Sequence, residues 1–276
     1  MKINLKNPEL KPTRDGYGLG LVEAGEKDER VVVLCADLSE STRSQWFKDK
    51  FPDRFIQMGV AEQNMATVAA GLANYGKIPF ISSYAAFSPG RNWEQIRTTI
   101  ALNNVPVKIG GAHAVISVGP DGATHQQLED IAIMRTMPNM VVLVPCDAIE
   151  AQKATMAAAF NNKPTYIRFG REKSPVFTTV ETPFEIGRAE IFREGKDVSI
   201  ITCGMLLYNA LVAAEKLAQE GIDCEVINFH TIKPLDEKTI TTSAKKTGAV
   251  VSVEEHQITG GLGSAVAECL ARNYPA

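Results

Sequence analysis

Residues 57–73 read Gln57-Met58-Gly59-Val60-Ala61-Glu62-Gln63-Asn64-Met65-Ala66-Thr67-Val68-Ala69-Ala70-Gly71-Leu72-Ala73. A helix is predicted from Glu62 onward. Gly59 supplies a turn before it, and Ala66, Ala69, Ala70 and Ala73 let it pack closely against its neighbours. A single carboxylate, Glu62, stands at the mouth of this otherwise apolar, small-residue helix. Two readings are open. A carboxylate in a first turn is favoured by the positive end of the helix, and that alone can account for it. Alternatively, burial disfavours a charged carboxyl, and the group shares a proton with a ligand.

The flanking sequence sets the fold class. Phe55-Ile56-Gln57-Met58 reads as a short strand before the helix, and Ile78-Pro79-Phe80-Ile81-Ser82-Ser83 as the next one. Upstream, Arg14 to Glu26 reads as a helix and Arg30-Val31-Val32-Val33-Leu34-Cys35 as a buried parallel strand. Downstream, a helix is predicted around Trp93 to Asn103, with strands at Val105 to Gly111, Asn139 to Pro145 and Thr165 to Phe169. Alternating strands and helices imply an α/β fold whose predominantly parallel sheets are flanked by helices. Glu172 to Gly195 breaks the rhythm as a low-order stretch. The pattern restarts with strands at Val198, Cys224 and Gly248 and helices from Leu206, from Lys233-Pro234-Leu235-Asp236 and after Gly260. Two domains are expected, at 1–175 and 196–276, with a linker at 176–195. The rhythm anticipates another strand after the final helix, so the second domain is expected to be incomplete at its end.

Composition narrows the function classes. A chain of 276 residues with 45% apolar and 22% charged residues suits two globular domains with real cores. A net charge of -3 gives no electrostatic case for nucleic acid or an anionic membrane. An anionic substrate must therefore be met by a few local basic residues. Cys35, Cys146, Cys203, Cys224 and Cys269 are odd in number and scattered, with neither zinc spacing nor a disulfide framework. They read as buried thiols of a reducing compartment. No signal peptide and no membrane-length apolar run are visible, so a cytoplasmic location is expected.

Ligands of open parallel sheets bind beyond the carboxyl ends of the strands. Three loops sit there, at 37–44, 83–91 and 113–125, and they gather serines, aromatics, His113, His125 and Asp121. Two separated segments then carry a resemblance: Gly59-Val60-Ala61-Glu62-Gln63, and Val118-Gly119-Pro120-Asp121-Gly122-Ala123-Thr124-His125-Gln126-Gln127. With Glu254-Glu255-His256-Gln257-Ile258-Thr259-Gly260-Gly261-Leu262-Gly263, the chain resembles the C-terminal half of transketolase in its split, two-polypeptide form. The resemblance covers essentially the whole chain: the pyrimidine-binding domain, a linker and the transketolase C-terminal domain.

The resemblance implies thiamine diphosphate bound between two chains. Glu62 would be both catalytic and cofactor-binding, through a hydrogen bond to N1′ of the aminopyrimidine. Tyr84 and Phe87 would stack on that ring. The family has a third aromatic three residues on, where this chain has Gly90. His125 would be catalytic, contacting the ketose hydroxyls. Arg14, Ser41, His113, Asp121, His125 and Arg168 would bind the sugar phosphate, with Arg171 able to take the place of Arg168. Asp37 would accept a hydrogen bond near the dimer seam.

No Gly-Asp-Gly stretch occurs in the sequence. The resemblance thus implies that an N-terminal transketolase subunit holds the diphosphate and its Mg2+ or Ca2+, in an α2β2 assembly, and that this chain has no metal ligands. Ketol transfer between sugar phosphates is the implied reaction. Alternatives are a deoxyxylulose-phosphate synthase-like or 2-oxo acid dehydrogenase β-like subunit, or a non-catalytic partner paralogue. His230 reads as structural, and His256 suggests no chemistry. Gly260-Gly261-Leu262-Gly263 looks like an anion-binding nest, but it lacks the rest of a dinucleotide fingerprint and reads as a tight strand-to-helix turn.

Overall fold

A computed structural model describes residues 5–275. Residues 1–13 are polar and read from the sequence as an irregular N-terminal segment; of these, residues 1–4 lie outside the described residues, as does Ala276. In chain order the strands are β1 (Glu9–Pro12), β2 (Val31–Cys35), β3 (Phe55–Gln57), β4 (Ile78–Tyr84), β5 (Lys108–Ala112), β6 (Val141–Leu143) and β7 (Thr165–Arg168). They continue with β8 (Lys173–Val176), β9 (Glu190–Arg193), β10 (Val198–Thr202), β11 (Cys224–Asn228), β12 (Thr231–Lys233) and β13 (Val250–Val253).

The larger sheet has seven strands in the order β12-β6-β7-β5-β4-β2-β3. All its pairings are parallel except that of β12. Its five inner strands, β6, β7, β5, β4 and β2, are buried along their whole length, as strands covered on both faces must be. Leu34, Ile81, Ile109 and Val142 enter one core, while Val33, Phe80, Leu143 and Ile167 enter the other. The smaller sheet runs β13-β10-β11-β9, with β9 antiparallel at its edge. The expected α/β architecture is therefore present in both halves.

Three details depart from the sequence reading. The stretch expected to be low-order, 172–195, contributes two strands. β8 pairs with β1, itself within the N-terminal segment expected to be irregular, and β9 edges the smaller sheet. Such four-residue edge strands carry too little alternation to announce themselves. The helix read from Lys233 begins instead at Glu237, where the Asp236 carboxylate caps Thr239 N at 3.1 Å. The residues before it form β12, which leaves the second half of the chain and joins the first sheet beside β6. The helix expected over 93–103 is a short α turn, Trp93–Gln95, continued by the π-helical segment Ile96–Ala101.

Helix Thr13–Lys27 lies close against helix Ala148–Ala159, and glycines permit the approach. A Cβ at Gly16 would collide with the Ala148 carbonyl, and one at Gly20 with the Thr155 side chain. This contact fixes the first turn of the helix, which carries Arg14. A buried carboxylate also links the two halves. Glu150 accepts from Cys146 N and from Asn228 Nδ2, both at 2.7 Å. Burial, with Asp147 nearby, pushes its pKa up to about 7.

Candidate active site

Helix Glu62–Asn74 starts at the residue expected, after a turn in which Gly59 takes φ +69°. Glu62 is 1% exposed. Its Oε2 accepts from Arg91 Nη1 at 2.9 Å, and Ser83 Oγ donates to Oε1 at 3.4 Å. Asn92 Nδ2 donates to the Glu62 carbonyl at 3.0 Å. The carboxylate is thus fixed in position behind the end of β4. Its charged partner is the half-exposed Arg91, and the Arg91 guanidinium lies 4.7 Å from the Phe87 ring centre. Sequence reading missed Arg91. The Ala86 carbonyl accounts for the glycine where an aromatic was expected, since a Cβ at Gly90 would strike it, and the neighbouring Arg91 covers Phe87.

Four rings gather beside Glu62's loop. Tyr84 and Phe87 stand 6.0 Å apart at an interplanar angle of 16°. Tyr84 stacks on His113 at 3.9 Å, and His125 meets Phe87 edge-on at 5.3 Å. His113 follows β5 directly and holds φ +55°, with Val115 at +87°. Left-handed backbone at two non-glycine residues is strain that the surrounding structure must maintain. Both ring nitrogens of His113 are buried without a partner. Burial, and then Arg14, Arg171 and Arg43, depress its pKa to about 3, so it is a neutral imidazole with one donor and one acceptor nitrogen unused. His125 Nδ1 lies 2.8 Å from Thr124 Oγ1.

The cations around His113 form a rim. Arg14 Nη1 donates to the Ser41 carbonyl at 3.0 Å, and its Nε has no partner. Ser41 therefore sits at this rim, facing Arg14 through its main chain. Burial and the repulsion of Arg43 and Arg171 lower the pKa of Arg14. Of these three guanidiniums, Arg43 is paired with Asp15 at 2.7 Å, and Arg14 keeps one nitrogen without a partner. Arg171 lies 3.9 Å from Asp121 and donates to the Val118 carbonyl.

Arg168 does not join this rim. It is 4% exposed, and its Nε donates to Asp130 Oδ2 at 2.8 Å and its Nη2 to the Glu255 carbonyl at 2.8 Å. Tyr166 Oη donates to the same Asp130 oxygen at 2.7 Å. The expectation that Arg168 meets phosphate is corrected: the arginine is consumed by an internal ion pair, and Arg171 holds the position at the rim. Asp37 is exposed, with φ +60°, and its main-chain N donates to Gln57 Oε1 at 2.9 Å.

The glycine-rich turn is not an open anion nest. Glu254 fills it, accepting from Leu262 N at 2.7 Å and Gly263 N at 2.8 Å. A Cβ at Gly261 would overlap that carboxylate. His230 is buried and stacked on Phe184, as a structural residue would be. Among the described residues no group of three or more His, Cys, Asp or Glu could hold a metal ion. All five cysteines are buried and free. No helix among the described residues is long and apolar enough to cross a membrane.

Residues 10–176 match the transketolase pyrimidine-binding domain, and residues 187–275 the transketolase C-terminal domain. A "Putative transketolase C-terminal section" of Methanocaldococcus jannaschii is 47% identical, covering 95% of this chain and 83% of that protein. A "6-deoxy-6-sulfo-D-fructose transketolase subunit SqwH" of Clostridium sp. is 43% identical, over 95% of this chain and 81% of that protein. A solved structure described as "Split gene transketolase, inactive beta4 tetramer" superimposes with TM-score 0.89 and 46% identity, covering 96% of this chain and 86% of that one. The fold is that of a thiamine-diphosphate enzyme family. The chain belongs to the transketolase family, and carries its pyrimidine-binding and C-terminal domains.

Proposed function

We propose that this chain is the pyrimidine-side subunit of a split transketolase. It would transfer a two-carbon ketol unit from a ketose phosphate to an aldose phosphate, active only with an N-terminal partner subunit. The observation that carries this reading is the buried Glu62 carboxylate, joined through Arg91 to the ring cluster of Tyr84, Phe87, His113 and His125.

The residues fit the aminopyrimidine half of thiamine diphosphate. Glu62 offers a desolvated carboxylate for N1′, where it would hold a proton, and the half-exposed Arg91 can swing away from it. Tyr84 and Phe87 supply an apolar wall for a flat heteroaromatic ring. Once bound, thiamine diphosphate supplies a nucleophilic carbon and an electron sink for cleavage beside a carbonyl. His113 has two unsatisfied ring nitrogens for substrate hydroxyls. His125 and Asp121, on the same loop, would orient the sugar and move its protons. Arg14 and Arg171 would grip the phosphate, with Ser41 adding its hydroxyl.

The diphosphate and Mg2+ are assigned to the partner because the Gly-Asp-Gly stretch with which the family holds them does not occur in this sequence, and the α2β2 assembly is what the family resemblance implies. The relative described as an inactive β4 tetramer is in keeping with that need. Five free, buried thiols suit the reducing cytoplasm. Mixing the purified chain with its N-terminal partner, Mg2+ and thiamine diphosphate should produce ketol transfer. Full activity of the single chain would sink the reading.

The Clostridium relative's name adds a second substrate class, since a guanidinium rim accepts a sulfonate as well as a phosphate. Competing a ketose phosphate against a 6-sulfo ketose in the assembled enzyme distinguishes the two through their kcat/KM ratio.

A further inference from the structure

Residues 255–257 of the second domain reach across to the loop that carries Asp121 and His125. Glu255 Oε1 accepts from Ile116 N at 3.0 Å. The Glu255 carbonyl accepts from Arg168 Nη2 at 2.8 Å. Gln257 N donates to the Leu128 carbonyl at 2.9 Å, and His256 Nε2 accepts from Ala132 N at 3.3 Å. The Nδ1 of His256 lies 2.8 Å from the Gln257 carbonyl, which sets the tautomer that leaves Nε2 free to accept. Four hydrogen bonds from three consecutive residues therefore end on positions 116, 128, 132 and 168 of the first domain.

Those positions bracket the neck of the loop. Val115 N donates to the Gln127 carbonyl at 3.0 Å, and Gln126 Nε2 to the Ile116 carbonyl at 3.0 Å. Asp121 and His125 lie between these closures, and the strained His113 and Val115 immediately precede them. Strained backbone persists only where its surroundings over-determine it, and here the other domain provides part of that constraint. Arg168, paired with Asp130, is the arm that connects the clasp to the end of β7.

We propose that Glu255 is a positioning residue for the reaction: through Ile116, it fixes the neck of the loop so that His113, Asp121 and His125 keep their places beside the ring cluster. The proposal rests on the ketol-transfer reading for its catalytic part only. It gives the second domain a role in substrate binding without contact with substrate.

Amide hydrogen exchange on the chain itself tests the clasp. Glu255→Ala should speed exchange at Ile116 about tenfold or more, the ratio expected for losing one bond to a charged acceptor. Glu255→Gln keeps an acceptor oxygen and should stay close to wild type. Unchanged exchange in Glu255→Ala, or equal acceleration in both variants, overturns the proposal. In the assembled enzyme, Glu255→Ala should raise KM for the ketose phosphate about tenfold, with a smaller change in kcat and unchanged affinity for thiamine diphosphate. Glu255→Gln should restore KM. A KM that does not move in Glu255→Ala also overturns it. An inactive wild-type mixture would instead defeat the ketol-transfer reading, and the exchange experiment would still decide the clasp.

Discussion

Two helix starts in this molecule use the same ingredients to different ends. At 59–62 a glycine turn leads into a helix whose first residue is a glutamate. At 254–263 a glutamate precedes a glycine turn and a helix. Glu254 turns back onto its own helix and takes the main-chain donors of Leu262 and Gly263. Glu62 turns away from its helix, toward a ring wall, and is met there by the side chains of Arg91 and Ser83. Glu254 is met by main-chain donors of its own helix, whereas Glu62 is met by side chains, the charged one being the half-exposed Arg91. An acid near a helix start identifies a ligand site only when its partners are displaceable. Backbone amides are not.

The largest effect should come from Glu62→Gln. If Glu62 passes a proton to the cofactor, turnover in the assembled enzyme should fall about 10²–10⁴-fold, the range for a lost acid–base group. Thermal stability and partner binding should remain near wild type. A variant with normal turnover would erase the contrast between the two glutamates. Glu254→Ala should show the reverse profile. Losing two charge-assisted bonds to the helix start should cost about 2 kcal/mol of stability, read by denaturant titration. Turnover per folded molecule should be unchanged.

His113 extends the contrast to a third case, a buried polar group with no protein partner at either ring nitrogen. Its pKa is about 3 in the folded chain against an ordinary 6.5. The unfolded chain therefore binds more protons between those values. The stabilisation is complete above pH 6.5 and declines as pH falls toward 3, by up to about 1.4 kcal/mol per pH unit. Buried His230, lowered to about 4, acts in the same direction. Glu150, raised to about 7 from 4.5, acts oppositely, losing its stabilisation as pH rises through that window. His113→Phe preserves a ring against Tyr84 and should flatten the decline in stability between pH 6.5 and 5. An unchanged slope would mean that His113 takes up its proton in place.

Much of the architecture was legible because burial on both faces of a sheet leaves continuous apolar runs. Val31–Cys35 is fully buried and could be read directly. The site loops were legible because strands end in polar turns, and two motifs with a known order marked Glu62, Asp121 and His125. What escaped depends on pairings distant in sequence. Arg168 read as a free cation because Asp130, 38 residues earlier, carries no local sign that it is the counterion. Arg171, three residues on, is the one left at the rim. Strand β12 escaped because it pairs with β6 across 88 residues (Thr231 opposite Leu143). Arg91 escaped because no spacing rule joins it to Glu62, 29 residues before it.

The smallest effect, and the sharpest test of displaceability, concerns Arg91. Its side chain is 47% exposed while Glu62 is buried. Ion pairs open to water are worth about 0–1 kcal/mol, whereas stripping the partner from an enclosed pair costs about 3–5 kcal/mol. Arg91→Ala should therefore lower the stability of the isolated chain by about 1 kcal/mol or less. It should not weaken thiamine diphosphate binding in the assembled enzyme, since Arg91 occupies only Oε2 of Glu62 and leaves Oε1 with no more than a 3.4 Å contact from Ser83. A loss above about 3 kcal/mol would place the pair in the enclosed class. Glu62 would then belong to the fold as fully as Glu254 does.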